Sequence, residues 1–220
     1  MIAAARRHRG TSTVIGVTNR LDGPLAAEVD TCLDLHAGEE LSGVACRSYT
    51  NTLALLLLLC GVDSPRVRAG VDASAAVMNA VPEWLGAAAE ALSRQAIHVL
   101  APAERIGSAE QSALMLREVP RVRADACETG DWSHVDVYLS KLPGLGLVLL
   151  RGSAWEAEVM EWALARACPV VTVGGSLPGA AVDVPIPGGE DPVVRMLAEV
   201  RVCELLAADF QARHGDRLST

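Results

Sequence analysis

Apolar positions along the chain fall into two kinds of run that take turns. Short runs rich in β-branched residues lie at residues 12–18 (STVIGVT), 31–35, 96–100 (AIHVL), 144–150, 169–173 and 181–185, and each reads as a strand. Longer runs with helical spacing lie between them. Residues 49–60 are nearly all apolar and predict a buried helix, with Thr50, Asn51 and Thr52 offering capping oxygens at its start. Residues 63–71 carry Asp-Ser-Pro and a glycine and read as a turn-rich break. Residues 72–95 read as an Ala-rich helix that Pro82 splits in two. Ser108 with Gln111 predicts a capping box that opens a helix to about Val119, followed by an irregular segment with Gly130. Ser153 with Glu156 predicts a second box, opening a helix to about Ala167. Asp191-Pro192 has the form of an N-cap followed by a first helical residue, starting a last helix that runs to about Arg213.

Strands separated by helices imply parallel βαβ units, so the expected class is α/β with open parallel sheets and flanking helices. The break after residue 62 and the new strand at Ala96 predict two tandem modules, 1–62 and 96–214, joined by a helical connector over 63–95. The first module has only two strand candidates and is expected to be incomplete. No short solenoid-type repeat is present.

Charge and composition narrow the function. Lys plus Arg is 19 and Asp plus Glu is 27, a net charge of −8. Affinity for a phosphate backbone comes from Lys and Arg, so an acidic chain argues against nucleic-acid binding. Aromatic residues are 3% of the chain, too few for base-stacking platforms. The longest apolar run, from Leu53 to Val62, is about half of the roughly 20 residues that a membrane span needs, so no membrane partner is expected. The start, MIAAARRHRG, lacks the apolar region of a secretory peptide. The six cysteines form no CxxC pair and suit small buried residues of a reducing cytoplasm. His134 and Asp136 make an HxD pair without a third ligand nearby, so no metal is expected.

Chemistry-bearing residues are sparse. There is no P-loop, and Gly174, Gly175 and Gly179 do not form a dinucleotide fingerprint, so no cofactor is expected. Ser48, Thr50 and Thr52 beside Arg47 fit either an anion site at a helix start or simply a capped helix. Glu118 closes the stripe SALMLRE, and His134 follows the irregular segment. A carboxylate and an imidazole in one cleft could move protons between sugar carbons; equally, the two are ordinary surface residues.

Two segments carry a resemblance. The stretch VIGVTNRLDGPLAAEVDTCLDLHAGEELSGVACRSYTNTLALLLLL, residues 14–59, resembles the later half of a SIS (sugar isomerase) domain, through VTN, the following Pro-Leu-Ala, and AGEE ahead of a basic-Ser-Tyr-Thr helix start. The second module resembles the second SIS domain of the isomerising glutamine–fructose-6-phosphate aminotransferases and related isomerases and deaminases, through IHVL, QSALMLREV and ADACETGDWSH. The resemblance implies a flavodoxin-like tandem fold that binds a phosphosugar. It implies that Glu118 is the enolising base and that His134 assists ring opening, commonly in the site of a neighbouring subunit. It places Gly43 and Ala45 in the lining of the sugar pocket and puts Arg47 where the family has Lys. Enediol chemistry of this kind needs no metal or nucleotide. A homodimer, or pairing with a SIS paralogue, is expected.

The sequence also departs from that family. No Ser-Gln-Ser-Gly phosphate loop is present, so Ser48 and Thr50 are the remaining candidates to hold phosphate. The glycine-rich turn of the second module is Ala101-Pro102-Ala103. A family Lys is Met115, and the His-Gly-Pro signature is His134-Val135-Asp136. No Pro-Arg-Asn-Leu-Ala-Lys tail follows Arg213. The expected activity is aldose–ketose isomerisation or deamination of a phosphorylated sugar. The alternative is a non-catalytic sugar-phosphate binder or partner subunit.

Overall fold

A computed structural model of the chain describes residues 1–41 and 44–214, without the side chain of His214. It divides into two compact units, Met1–Asp63 and Ser64–Thr220.

The first unit contains α1 (Ile2–His8), β1 (Ile15–Thr18), β2 (Thr31–Asp34) and α2 (Arg47–Leu59). β1 and β2 form a parallel pair with Ile15 beside Thr31 and Thr18 beside Asp34. A short 3-10 turn at Ala26–Glu28 lies between them, and Arg6 of α1 holds Glu28 at 2.6 Å. The apolar composition of α2 predicts burial, but the helix has no buried residue, and Leu56, Leu58 and Leu59 are exposed. Two strands are too few to cover the leucine-rich second half of this helix on every side.

The second unit opens with α3 (Ser64–Asn79) and α4 (Val81–Ala91). Residues 63–71 are therefore mostly helix rather than a break: Pro65 falls in the first turn, where its missing N–H costs no hydrogen bond. Pro82 starts α4, as its position predicts. These helices, placed in a connector by the sequence, pack inside this unit, α3 against α8 and α4 against α9.

The remaining elements are β3 (Ala96–Ala101), α5 (Ile106–Glu118), β4 (Arg123–Glu128), α6 (Thr129–His134), β5 (Leu145–Leu150), α7 (Glu156–Ala165), β6 (Val170–Val173), β7 (Val182–Val184), α8 (Pro192–Ala198) and α9 (Val200–His214). All five strands are parallel, in the order β4-β3-β5-β6-β7. The open α/β sheet expected from the sequence is thus present. Central strands buried on both faces need continuous apolar runs, and β5 (LGLVLL) is buried at all six positions. Trp132 is fully buried and donates its indole N–H to Nδ1 of His98 at 3.0 Å. Burial holds the His98 imidazole below its ordinary pKa against the pull of Asp125 and Asp136, so it serves as a neutral acceptor.

Four local expectations need correction. β4 and α6 occupy the segment read as irregular. β4 is an edge strand in which only Ala124 is buried, so RADACE lacks the apolar run that marks the other strands. The Ser108 capping box does not form: α5 starts at Ile106, and Ser108 is buried inside it. The last helix is interrupted at Glu199. Of the six free cysteines only Cys168 and Cys203 are buried, and Cys60 is exposed. Of the other two, the Asp191 cap forms, whereas α7 starts only at Glu156 with Trp155 at its N-cap, so the Ser153 box is half realised. Glu156 accepts from the N–H of Ser153, and Asp191 accepts from the N–H of Val193.

α3 and α8 approach closely at Gly70, where an added Cβ would lie 2.6 Å from Cδ1 and 2.9 Å from Cβ of Leu197. Overpacking of this kind costs about 1–3 kcal/mol, against about 1 kcal/mol gained in helix propensity. Gly70→Ala is expected to lower the urea midpoint, while Gly86→Ala, where a Cβ meets nothing within 4 Å, raises it or leaves it unchanged. Equal midpoints for Gly70→Ala and the unaltered chain would refute the close packing.

Candidate functional site

Ligands of open parallel sheets bind beyond the carboxyl ends of the strands, where loops and helix starts converge. In the first unit this edge carries a polar cleft of about 790 Å³, lined by residues that include Asn19 and Arg20 after β1, Asp34 and His36 at the end of β2, Glu39, and Ser48 in the first turn of α2. The loop walls are fixed by side chains. Asn19 accepts from the N–H of Ala37 at 3.0 Å and donates to the carbonyl of Gly38. Asp34 accepts from the N–H of His36 at 2.9 Å, and its other oxygen lies 3.3 Å from the His36 ring Nδ1. Arg20 pairs with Asp22 at the exposed rim.

Glu40 is the central carboxylate. It accepts from both the N–H and the hydroxyl of Ser48 at 2.7 Å, and Arg47 lies 3.7 Å away. Burial is the largest single influence on Glu40 and pushes its pKa up. The Ser48 donors and Arg47 together outweigh it, so the carboxyl sits below the ordinary glutamate value. Glu40 thereby occupies the anion position at the start of α2.

The residues singled out in the sequence do not form one site. Gly43 lies outside the described residues. Ala45 is exposed. Ser48 lines the cleft. The Thr50 hydroxyl donates to the carbonyl of Cys46 at 3.2 Å, and Thr52 to that of Ser48 at 2.7 Å, so neither faces the cleft as an anion donor. Glu118 is exposed at the end of α5, close to the start of β4; His134 is exposed at the end of α6, beyond the finish of β4, with its ring edge-on to Trp155 at 5.1 Å. The six residues of β4 at about 3.3 Å each hold the two on the order of 20 Å apart, at opposite ends of one sheet. No single chain unites this pair in one cleft.

The carboxyl edge of the five-stranded sheet holds a network that sequence reading missed. Arg105 after β3 donates to Glu199 at 3.2 Å and to the carbonyl of Arg151. Arg195 of α8 donates to the same carbonyl at 2.5 Å, and Arg151 reaches Glu156 at 2.7 Å. Arg105 and Glu199 are buried almost completely. Burial pushes the Glu199 carboxyl up, against the pull of Arg105 and Arg195. Gly152 (φ 129°) lies under these guanidinium groups, and a Cβ there would fall 3.0 Å from Arg195 and 3.1 Å from Arg105. The chain's own side chains thus fill the crevice that a ligand of this unit would use. The only sequence signal was three arginines and two glutamates spaced too widely to be read as neighbours. Among the described residues, no group of three or more His, Cys, Asp or Glu could hold a metal ion, and no helix is long and apolar enough to cross a membrane.

No family model matches the sequence, and no curated protein matches it either. Solved structures do match. The C-terminal domain of glucosamine-fructose-6-phosphate aminotransferase from Francisella tularensis superposes with a TM-score of 0.80 at 14% identity, over 96% of this chain and 67% of that one. A protein of Clostridium difficile 630 assigned as a phosphosugar isomerase gives 0.83 at 16% identity, over 100% and 68%. Tagatose-6-phosphate ketose/aldose isomerase from Escherichia coli gives 0.74 at 16% identity, over 91% and 60%. The chain has the fold of the SIS-type phosphosugar isomerases and spans about two thirds of the length of these structures.

Two outcomes follow from the carboxylates. A glutamate with a lowered folded pKa contributes stability that is full above its unfolded value, near 4.5 for Glu40, and is lost as pH falls through the folded value. The stability difference between the unaltered chain and Glu40→Gln is expected to shrink as unfolding is followed from pH 6 to pH 3; a constant difference would show that Glu40 is not held ionised by Ser48. In the second unit, Arg105→Met leaves Glu199 buried without its partner and is expected to cost about 3–5 kcal/mol in urea unfolding. Adding Glu199→Leu should recover most of that loss, and a double variant as unstable as the single one would count against the pairing.

Proposed function

We propose that the chain binds a phosphorylated sugar in the cleft at the carboxyl ends of β1 and β2. The supporting observation is the cleft itself: polar, at the ligand edge of a parallel sheet, in a fold shared with phosphosugar isomerases. Sugar hydroxyls both donate and accept hydrogen bonds, and Asn19, Asp34, Glu39 and Ser48 offer matching groups. The Arg20 guanidinium, at the exposed rim beside Asp22, and the His36 ring line the cleft as donors for a phosphate, while Glu40 already caps α2.

We further propose aldose–ketose isomerisation or deamination as the activity, with 1–62 and 96–214 acting as a partial and a full SIS module. Glu118 would take the proton from C2 of the open-chain sugar and return it at C1 through an enediol, and His134 would assist ring opening. The separation of Glu118 from His134 requires that the two come from different chains in each working site. The competing reading is a non-catalytic binder, favoured by the exposure of both residues and by their absence from the cleft lining.

Thermal unfolding with fructose-6-phosphate, glucosamine-6-phosphate and N-acetylglucosamine-6-phosphate tests binding. One sugar is expected to raise the melting point, by about 2.7 kcal/mol of added stability at a hundredfold excess over Kd. No shift with any of the three would overturn the binding proposal. Proton exchange at C2 tests catalysis. Glu118→Gln should abolish it while binding persists, and mixing Glu118→Gln with His134→Ala should restore about one quarter of the sites in a dimer. Binding without exchange in the unaltered protein would establish the non-catalytic reading.

A further inference from the structure

The second unit carries a small cavity of about 170 Å³ near the amino ends of β3, β4 and β5. The side chains that line it from the strands are Ala96 and His98, Arg123 and Asp125, and Leu145. β3 and β4 each contribute alternate residues, so these side chains stand on one face of the sheet. Register orders them in two rows. Arg123, Ala96 and Leu145 are neighbours in the first row, and Asp125, His98 and Leu147 in the second. Ala96 places a methyl group between two long side chains, which leaves the space unfilled. Leu139 of the 3-10 segment Asp136–Lys141 and Leu142 after it add apolar wall. Gly144 (φ 88°) closes the rim, its carbonyl accepting from the N–H groups of Gln95 and Ala96 at 2.9 and 3.1 Å.

Three polar groups of this cavity lack partners. His98 is 4% exposed, and burial keeps its ring neutral. Its Nδ1 accepts from Trp132 at 3.0 Å, so the ring proton sits on Nε2. Among the described residues, Nε2 of His98 has no hydrogen-bond partner, and neither the Arg123 guanidinium nor the Asp125 carboxylate has a hydrogen bond or an ion pair. Arg123 and Asp125 do not pair with each other, although they stand two residues apart on one strand, about 7 Å between Cα atoms. The cavity therefore presents a buried neutral donor, a cation and an anion in an apolar surround. A buried donor without an acceptor is costly, and the missing acceptor is what a ligand supplies.

We infer that this cavity binds a small zwitterion, an α-amino acid with an apolar side chain. Its carboxylate accepts from Nε2 of His98 and from Arg123, its ammonium lies against Asp125, and its side chain packs on Leu139, Leu142 and Leu145. An α-amino acid carries its two charges on one carbon, so both are met in a single small cavity. A plain carboxylate would face Asp125, and a plain amine would face Arg123; like charges at such range repel. The volume equals that of about six water molecules, which suits a molecule of this size and not a sugar phosphate. The cavity lies at the amino edge, away from the edge where parallel sheets hold their substrates, so the bound molecule acts as an effector. This inference is independent of sugar binding.

Calorimetric titration of the full chain with L-valine and L-leucine tests it. The controls are 4-methylpentanoate, which is leucine without its ammonium, and 3-methylbutylamine, which is leucine without its carboxylate. At least one of the two amino acids is expected to bind, and the controls to bind about tenfold more weakly or worse. Arg123→Met and Asp125→Asn should each weaken the amino acid by a similar factor. Both side chains are exposed and unpaired, so the urea midpoint should stay where it is. In the unaltered chain, the Nε2 resonance of His98, followed by nitrogen-15 NMR, should move as the amino acid is added. The inference is overturned if neither amino acid binds at millimolar concentration, if either control binds as tightly, if both variants keep full affinity, or if the His98 resonance stays fixed while binding occurs.

Discussion

The buried Arg105–Glu199 pair decides what the second unit can be. It joins the end of β3 to the break between α8 and α9, two segments 94 residues apart in sequence. A guanidinium and a carboxylate taken out of water are tolerable only when each satisfies the other and the remaining donors find carbonyls. Arg105 comes nearest to that condition, bonding Glu199 and sharing the carbonyl of Arg151 with Arg195, and Glu156 holds Arg151 in turn. Nε of Arg195 and the second oxygen of Glu199 are buried without a hydrogen-bond partner. The network spans the carboxyl ends of β3, β5 and β6. It stabilises the sheet where helices diverge, and it does so by filling the crevice that parallel sheets ordinarily offer to a ligand.

That filling moves attention to the first unit. Its carboxyl edge remains open as a polar cleft, and its loop walls are held by Asn19 and Asp34 rather than by packing. Beside β1 lies a second, lateral cavity. The cleft and the lateral cavity are chemically unlike. The first presents carboxylates, an amide and a hydroxyl, which suit a hydroxylated small molecule. The second is lined mainly by apolar side chains, among them Ala5, Val14 and Leu56.

Topology also sets the terms for any chemistry at Glu118 and His134. A helix that follows a parallel strand runs back to the amino edge, so Glu118 at the end of α5 lies there. A residue just past the next strand lies at the carboxyl edge, as His134 does. No side-chain rotation spans the length of β4. A shared site therefore asks for a second chain, whereas a binding role asks only for the cleft.

Local sequence was enough for the α/β class, six of the seven strands found among the described residues, the split at Pro82 and the cap at Asp191, because these depend on periodicity and on side chains within a few residues of the backbone they satisfy. The resemblance in residues 14–59 and 96–134 pointed to the fold that the solved structures share. Only tertiary structure decided the rest. Edge strand β4 lacks an apolar run because one of its sides is solvated. The exposure of α2 depends on how many strands lie under it, which its own leucines cannot specify. Ser48 lines the cleft while Thr50 and Thr52 turn to carbonyls one helical turn back. The arginine–glutamate network was invisible because its members converge only when three strands align at one edge.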